Sequence, residues 1–219
     1  MIKKFAALAL LASLALPGAA LAQAFGQFTG AQTLAPNTHL GGGYLQSSSG
    51  VIGLLGQLRL SFYPGVDFGF QGGFARQDFG SNNRTTLRLA TDLKYQVTQP
   101  TTEYPYSISI GGGLGVESGD HWNVISVGPS IVGSRSYAGN GTLVFTPFVS
   151  IGMLFTNANI GSLNETVLPR NETDLSLPVR FGSELRLSQQ LSLTGELQLR
   201  LSDDLNDDVG FSVGVNSPF

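Results

Sequence analysis

The sequence predicts an all-β fold: an antiparallel up-and-down transmembrane β-barrel of about ten strands, with eight or twelve strands left open. Three observations predict this fold. Apolar and polar residues alternate with a period of two, the alternating segments are mostly 9–14 residues long, and short connections alternate with longer ones. A membrane-spanning strand needs about 9–11 residues, whereas strands in soluble proteins average about 5–6. The segments therefore have the length that crosses a bilayer.

The composition excludes several other classes of protein. The chain has 219 residues, of which 29 are Gly and none is Cys, with 12% charged residues and a net charge of −3. An apolar fraction of 42% with this small net charge excludes a disordered chain. The lack of Cys excludes a disulfide scaffold and a thiolate metal site. Because the balance is acidic, we expect no nucleic-acid partner.

Residues 1–22 have the pattern of a secretory signal peptide. Lys3 and Lys4 precede a 12-residue apolar run, and Ala20 and Ala22 supply the small residues of a cleavage site after Ala22. A transmembrane helix needs about 20 apolar residues, so the run is too short to remain as an anchor. Removal of the two lysines leaves 10 basic and 15 acidic residues, because the full chain has 12 and 15.

Five strands are predicted in the first half of the mature chain. Segment 38–46 alternates weakly because it is rich in Gly, and 51–63 alternates Leu and Ile with polar residues. Segment 66–76 places Phe on one face, and 84–97 has one apolar and one charged face. Segment 106–116 alternates large apolar residues with Ser and Gly. Because a strand points successive side chains to opposite faces, each segment predicts a two-faced strand.

Five more strands are predicted in the second half. Segment 122–133 is partly out of phase, whereas 142–155 keeps aromatic and aliphatic residues at odd positions. Segments 174–187 and 191–201 alternate Leu with charged residues, and 209–219 alternates Val and Phe with small residues. The ten strands place both chain ends on the side of the shorter turns, as in barrels whose turns are short on one side and longer on the other.

The remaining segments are assigned by exclusion. Residues 38–219 form the predicted barrel domain, and 23–37 are a periplasmic tail, a plug segment or an extra short strand pair. On the side of the longer loops, 202–208 is strongly acidic. Its spacing does not match a calcium-binding loop, so a solvated acidic turn is the favoured interpretation over a cation site.

Charged residues within the strands share the polar face. A membrane barrel turns this face inward, where opposite charges neutralise one another in a wet lumen. The alternative is a soluble exported barrel or sandwich, which would show the charges to solvent and bury an apolar ligand inside. The predicted lumen charges are Arg59, Asp67, Arg88, Asp92, Lys94, Arg180, Glu184, Arg186, Glu196 and Arg200.

The last predicted strand is one of the features by which the chain resembles a known family. Phe219 ends the chain, and Phe211, Val213 and Val215 precede it on the same parity. With the leader and the ten-strand pattern, the chain resembles bacterial outer-membrane β-barrel proteins. The resemblance implies a monomer in the outer membrane of a Gram-negative bacterium, with membrane lipid and the barrel-assembly machinery as partners. It also implies that the terminal residues form the assembly signal.

No residue pattern indicates catalysis. His121 follows Asp120 in a predicted loop and His39 lies elsewhere, but neither belongs to a GxSxG or HExxH motif. We therefore expect no catalytic residue, no cofactor and no metal site. Ten strands leave little space in the lumen, so a structural or surface-contact role is favoured. A narrow small-solute channel and a soluble binder of an apolar ligand remain as alternatives.

Overall fold

The structure is a computed structural model and describes residues 27–48, 50–78, 83–120, 122–139, 141–160, 170–202 and 208–219. In these residues twelve strands form one antiparallel sheet. They are β1 (Thr38–Ser48), β2 (Val51–Tyr63), β3 (Val66–Asp78), β4 (Asn83–Thr98), β5 (Ser107–Gly119), β6 (Trp122–Ser134), β7 (Tyr137–Ala138), β8 (Val144–Gly152), β9 (Leu154–Ile160), β10 (Arg170–Arg186), β11 (Ser192–Ser202) and β12 (Asp208–Pro218).

The sheet closes on itself and has ten wall strands. β1 pairs with β2 on one edge and with β12 on the other, from Leu40 opposite Pro218 to Ser47 opposite Phe211. β8 and β9 both pair with β6 and β10, so they are two parts of one wall strand, and β7 extends the β6–β8 hairpin by two residues. The predicted closed antiparallel barrel of about ten strands is confirmed.

The boundaries of two predicted strands need correction. The segment predicted as one strand over 142–155 is interrupted at Met153 and continues to Ile160. The strand predicted over 174–187 begins four residues earlier, at Arg170. An extra strand pair within 23–37 is absent from the described part of that segment, because residues 27–37 contain no strand.

Two prolines explain the interruption at Met153. The register places Pro129 of β6 and Pro178 of β10 on either side of the Gly152–Met153 step. Proline has no N–H, so neither Pro129 nor Pro178 can donate a backbone hydrogen bond to the wall strand beside Met153. The Met153 N–H still donates to the Pro129 carbonyl at 3.0 Å, which keeps the register unchanged across the break.

Burial is inverted relative to a soluble barrel. In β2 the side chain of Ile52 is 67% exposed, whereas Arg59 is 1% exposed and Gln57 is buried. The same alternation runs round the wall, with apolar side chains outside and polar side chains inside. The described residues include no helix long and apolar enough to cross a membrane.

The start of β1 and the end of β12 lie at one end of the barrel, which we call the termini end. The turns 64–65, 99–106 and 187–191 lie at the same end, because each joins strands whose paired ends face the start of β1 and the end of β12. The opposite end, called the far end, is where β3 and β5 end and where β4 and β6 begin.

Candidate functional site: the lumen and its plug segment

The lumen is occupied by residues 27–34, which we call the plug segment. Phe28 and Ala31 of this segment have no exposed surface. The hydrogen bonds of the segment reach side chains of β3, β4, β6 and β11, which lie on different sides of the barrel. The segment therefore crosses the interior and does not lie outside as a tail.

Lumen side chains accept hydrogen bonds from the backbone N–H groups of the plug segment. Glu196 Oε2 accepts from Gln27 at 2.9 Å and from Phe28 at 3.2 Å. At the other end of the segment, Asp67 Oδ1 accepts from the Leu34 N–H at 3.0 Å. Buried amides need partners when no strand supplies them, and an ionised carboxylate forms the stronger class of hydrogen bond. The two carboxylates therefore hold the plug segment at both ends.

Further polar side chains hold the middle of the plug segment. Lys94 Nζ donates to the carbonyls of Gly30 and Gln32, both at 3.0 Å. The Ala31 N–H donates to Ser134 Oγ at 2.9 Å. These contacts connect residues 62 to 103 positions apart, so the placement of the segment depends on strands that are distant in sequence.

An aromatic stack anchors the start of the plug segment. The rings of Phe28 and Tyr44 are stacked with centroids 3.8 Å apart, and Tyr44 Oη donates to Asn216 Oδ1. Gly214 faces Tyr44, and a Cβ there would overlap the ring. Phe28 has φ of 53°, a left-handed conformation that costs a bulky residue energy. The buried stack and the bond to Glu196 hold it in place.

Five cations of the lumen pair with carboxylates, in four groups among the described residues. Arg59 approaches Asp92 at 2.7 Å and Asp67 at 3.9 Å, and Lys94 approaches Asp67 at 3.4 Å. The remaining pairs are Arg88–Glu117 at 3.0 Å, Arg180–Glu196 at 3.8 Å and Arg200–Asp174 at 2.9 Å. Each cation has a carboxylate partner, which is the condition under which buried charges are tolerated.

The outer surface is apolar and carries a partial ring of tyrosines on the side of the barrel from β2 to β7. Five of the six Tyr residues are exposed on the outside near the termini end, whereas the sixth, Tyr44, is in the lumen. The exposed five are Tyr63, Tyr95, Tyr104, Tyr106 and Tyr137. An apolar band with an aromatic ring at its border is typical of the membrane-facing surface of a barrel.

Comparison with known proteins gives structural neighbours alone: no protein-family model and no curated protein matches the sequence. The outer-membrane protease OmpT of Escherichia coli is similar, with 10% identity over 86% of this chain and 100% of that chain, at a TM-score of 0.47. The β-domain of the Bordetella autotransporter BrkA has 10% identity over 84% and 100%, at 0.45. The N-terminal barrel domain of Pseudomonas aeruginosa OprF has 11% identity over 84% and 98%, at 0.41.

The structure itself shows a closed antiparallel barrel with a polar interior and an apolar exterior. At these identities and TM-scores, nothing about the neighbours' activities passes to this barrel. The functional argument therefore rests on the lumen, the plug segment and the outer surface.

Of the ten predicted lumen charges, eight lie inside the barrel and two line its opening at the termini end. Seven are buried inside, and the Asp92 side chain is 27% exposed while bonded to Arg59. Glu184 is half-buried and Arg186 is exposed, and both line an opening at the termini end. The seven buried residues are Arg59, Asp67, Arg88, Lys94, Arg180, Glu196 and Arg200.

Two lumen carboxylates were missing from the predicted set. Glu117 pairs with Arg88, and Asp174 pairs with Arg200. Glu117 continues the inward parity of β5 one residue past the predicted end of that strand. Asp174 shares the parity of Arg180, so the alternation itself contained both signals. Counted with Asp92, the paired lumen set has five cations and five carboxylates, so the predicted excess of six cations over four carboxylates disappears.

The other predicted site residues lie outside the lumen or outside the described residues. Phe211, Val213, Val215 and Phe219 are exposed on the exterior, and the Phe219 ring is stacked on His39 at 5.6 Å. The signal-peptide residues Ala20 and Ala22, His121 and positions 203–207 are outside the described residues. Among the described residues, no group of three or more His, Asp or Glu side chains could hold a metal ion.

Two spaces remain beside the plug segment. A vestibule of about 270 Å³ opens at the termini end and is lined by Gln32, Asp67 and Arg186 among others. A second space of about 100 Å³ lies near Gln27, Lys94 and Arg180. Both spaces are lined partly by plug residues. The plug segment therefore divides the lumen between them.

Proposed function

We propose that the protein is an outer-membrane barrel that is closed by its own N-terminal segment and serves a structural or surface-contact role. The observation that carries this proposal is the plug segment, held at both ends by Glu196 and Asp67. A ten-stranded wall leaves little free space, and four ion-pair groups and the plug segment fill much of it. This arrangement favours a closed lumen over a general pore.

The outer surface supports the membrane location. The apolar band and the tyrosines match the lipid-facing surface of a barrel, and each of the described wall strands is paired on both sides. We therefore propose a monomer whose partner is membrane lipid. Export by the signal peptide and recognition of Phe211, Val213, Val215 and Phe219 by the barrel-assembly machinery complete the proposal. No enzymatic activity is proposed.

Cell fractionation tests the membrane proposal. The mature protein is expected to begin at Gln23, to remain in the outer-membrane fraction after a carbonate wash, and to migrate faster on detergent gels before boiling than after. Recovery in the soluble periplasmic fraction without detergent would overturn the proposal and favour the soluble exported barrel.

A narrow channel is the second candidate, and the two spaces beside the plug segment favour it. Planar-bilayer recording separates the candidates. We expect no steady conductance from the full chain, and discrete steps from a variant that lacks residues 27–34. Arg76→Gln is the control, because this exposed side chain on the exterior does not touch the plug segment. Steady steps from the full chain would favour the channel.

A further inference from the structure

An exterior arginine at the termini end lacks the carboxylate partner that the lumen cations have. Arg135 lies over the rings of Tyr106 and Tyr137, with its Cζ 5.3 Å and 4.9 Å from their centroids. Its Nη1 also donates to Tyr106 Oη at 3.4 Å. In the described part of the chain no carboxylate pairs with Arg135. The guanidinium is therefore a cation with unused donors within the tyrosine ring.

A strip of the outer surface leads from Arg135 along β5 and β6; it is low at Gly133 and carries the exposed side chain of Ile131 between Gly133 and Pro129. The outward positions of β6 are Gly133, Ile131 and Pro129, and Gly133 lies opposite Ile108 of β5. A Cβ on Gly133 would meet no heavy atom within 4 Å, so the wall is open at this point. The missing side chain leaves a path between its larger neighbours.

The strip ends in a shallow apolar depression on the same outer surface. Its volume is about 570 Å³, and Gly112 and Pro129 lie opposite each other in its floor. Phe68, Leu93 and Phe155 are among the residues that line it. Glycine and proline at the floor, with large apolar residues around them, make a concave apolar surface on a wall that is otherwise covered with projecting side chains.

The distance from Arg135 to the depression matches the depth of one lipid leaflet. Six residues separate Arg135 from Pro129, which is about 20 Å along a strand at roughly 3.3 Å per residue. A strand tilt of about 35–45° reduces this to about 15 Å along the membrane normal. Half of a hydrocarbon core of about 30 Å has the same depth. The cation thus lies at headgroup level when the depression lies near the bilayer centre.

We propose that this surface binds one phospholipid of the leaflet at the termini end. The lipid phosphate accepts hydrogen bonds from Arg135, and the hydroxyl groups of Tyr106 and Tyr137 lie at the same level. One acyl chain follows the strip past Gly133 and ends in the depression over Gly112. The inference rests on the proposed membrane location and adds a specific lipid site to it.

Native mass spectrometry of the full mature chain tests the site. The purified barrel is incubated in detergent with phosphatidylethanolamine or, separately, with glycerol phosphate. We expect one retained phospholipid and no retained glycerol phosphate. Arg135→Gln and Gly133→Leu should each weaken retention roughly tenfold, since one removes a charged donor and the other fills the strip.

Two substitutions elsewhere on the exterior are matched controls. Arg76→Gln removes an exposed arginine at the far end, and Gly43→Leu fills an outward position on β1 where a Cβ also meets nothing within 4 Å. Both controls should retain the lipid as the unsubstituted chain does. Equal retention in all variants would overturn the site, as would binding of glycerol phosphate as strong as that of the lipid.

A photoreactive phospholipid gives a second measurement that needs no variant. With the reactive group at the acyl terminus, labelling should concentrate on peptides that contain Gly112 and Pro129. Labelling spread evenly round the barrel, or a dimer that retains no lipid, would overturn the proposal. Failure of membrane insertion is seen independently, by fractionation and by the gel shift on boiling. Loss of the lipid site alone leaves both unchanged.

Discussion

Lys94 connects the barrel wall to the plug segment more extensively than the other lumen cations described. Its ammonium group donates to Gly30 and Gln32 and lies 3.4 Å from Asp67. Asp67 in turn accepts from the Leu34 N–H. One cation and one carboxylate thus join the wall to both the middle and the end of the plug segment.

The pair Lys94–Asp67 is expected to be energetically coupled. Lys94→Met leaves a fully buried carboxylate with Arg59 at 3.9 Å as its nearest cation, and should lower the free energy of unfolding by about 3–5 kcal/mol. Adding Asp67→Asn removes the uncompensated charge while its Oδ1 still accepts from Leu34. The double variant should therefore be more stable than Lys94→Met alone.

Urea unfolding in phospholipid vesicles, followed by circular dichroism, measures this coupling. Asp67→Asn alone completes the double-mutant cycle. If the two losses simply add, the pair is not coupled and the lumen is wetter and better screened than the contacts indicate.

At the scale of elements, β6 accommodates the interruption of its neighbouring wall strand. Gly128 faces the Met153 carbonyl so closely that a Cβ would overlap the oxygen. Pro129 follows at once and removes a backbone donor. The combination of a residue without a side chain and one without an N–H allows β6 to pass the break at Met153 with its register preserved.

Gly128→Ala should therefore destabilise the barrel. Either β6 or the wall strand at Met153 must move, and the backbone oxygen has less freedom than the tip of a side chain. The midpoint temperature of the gel shift on boiling should fall clearly below that of the unsubstituted chain. Gly195→Ala is the control, because this outward glycine of β11 has no heavy atom within 4 Å of an added Cβ. Equal midpoints would show that the close approach relaxes without cost.

Strands and plug segment differ in how well the sequence predicts them. Eight of the ten wall strands follow from clear alternation and two, at 38–46 and 122–133, from a weaker one, because each inward or outward side chain meets one of two uniform environments. The plug segment has no such period. Its amides bind side chains as far away as Glu196, 168 and 169 residues along the chain, so its placement depends on the finished barrel. The interruption at Met153 is likewise signalled only by prolines on other strands.

The same limit to what the sequence predicts applies to the charged residues. Parity separates the lumen face from the outer face, but it does not identify partners. Arg59 and Asp92, for example, are 33 residues apart and meet because β2 and β4 flank β3. Gly69 on β3 lies between them, and a Cβ there would overlap Asp92. Which charges pair is therefore decided by registry across several strands.

At the scale of the whole molecule, the paired lumen and the apolar exterior belong to one arrangement. Polar side chains are buried with partners, while most large apolar residues remain exposed in the isolated chain. Exposure of so much apolar area is costly in water and favourable in lipid. The arrangement therefore makes the energetic effect of a surface charge depend on its depth in a bilayer.

Two substitutions on the outer face of β4 measure that dependence. Leu89 and Val97 are 51% and 53% exposed, but Leu89 lies near the middle of the strand and Val97 near its end. In a bilayer, Leu89→Arg should cost about 2–4 kcal/mol of unfolding free energy, and Val97→Arg about 0–1 kcal/mol. Unfolding in vesicles supplies both values. Equal and small effects at the two positions would mean that water, and not lipid, surrounds the barrel.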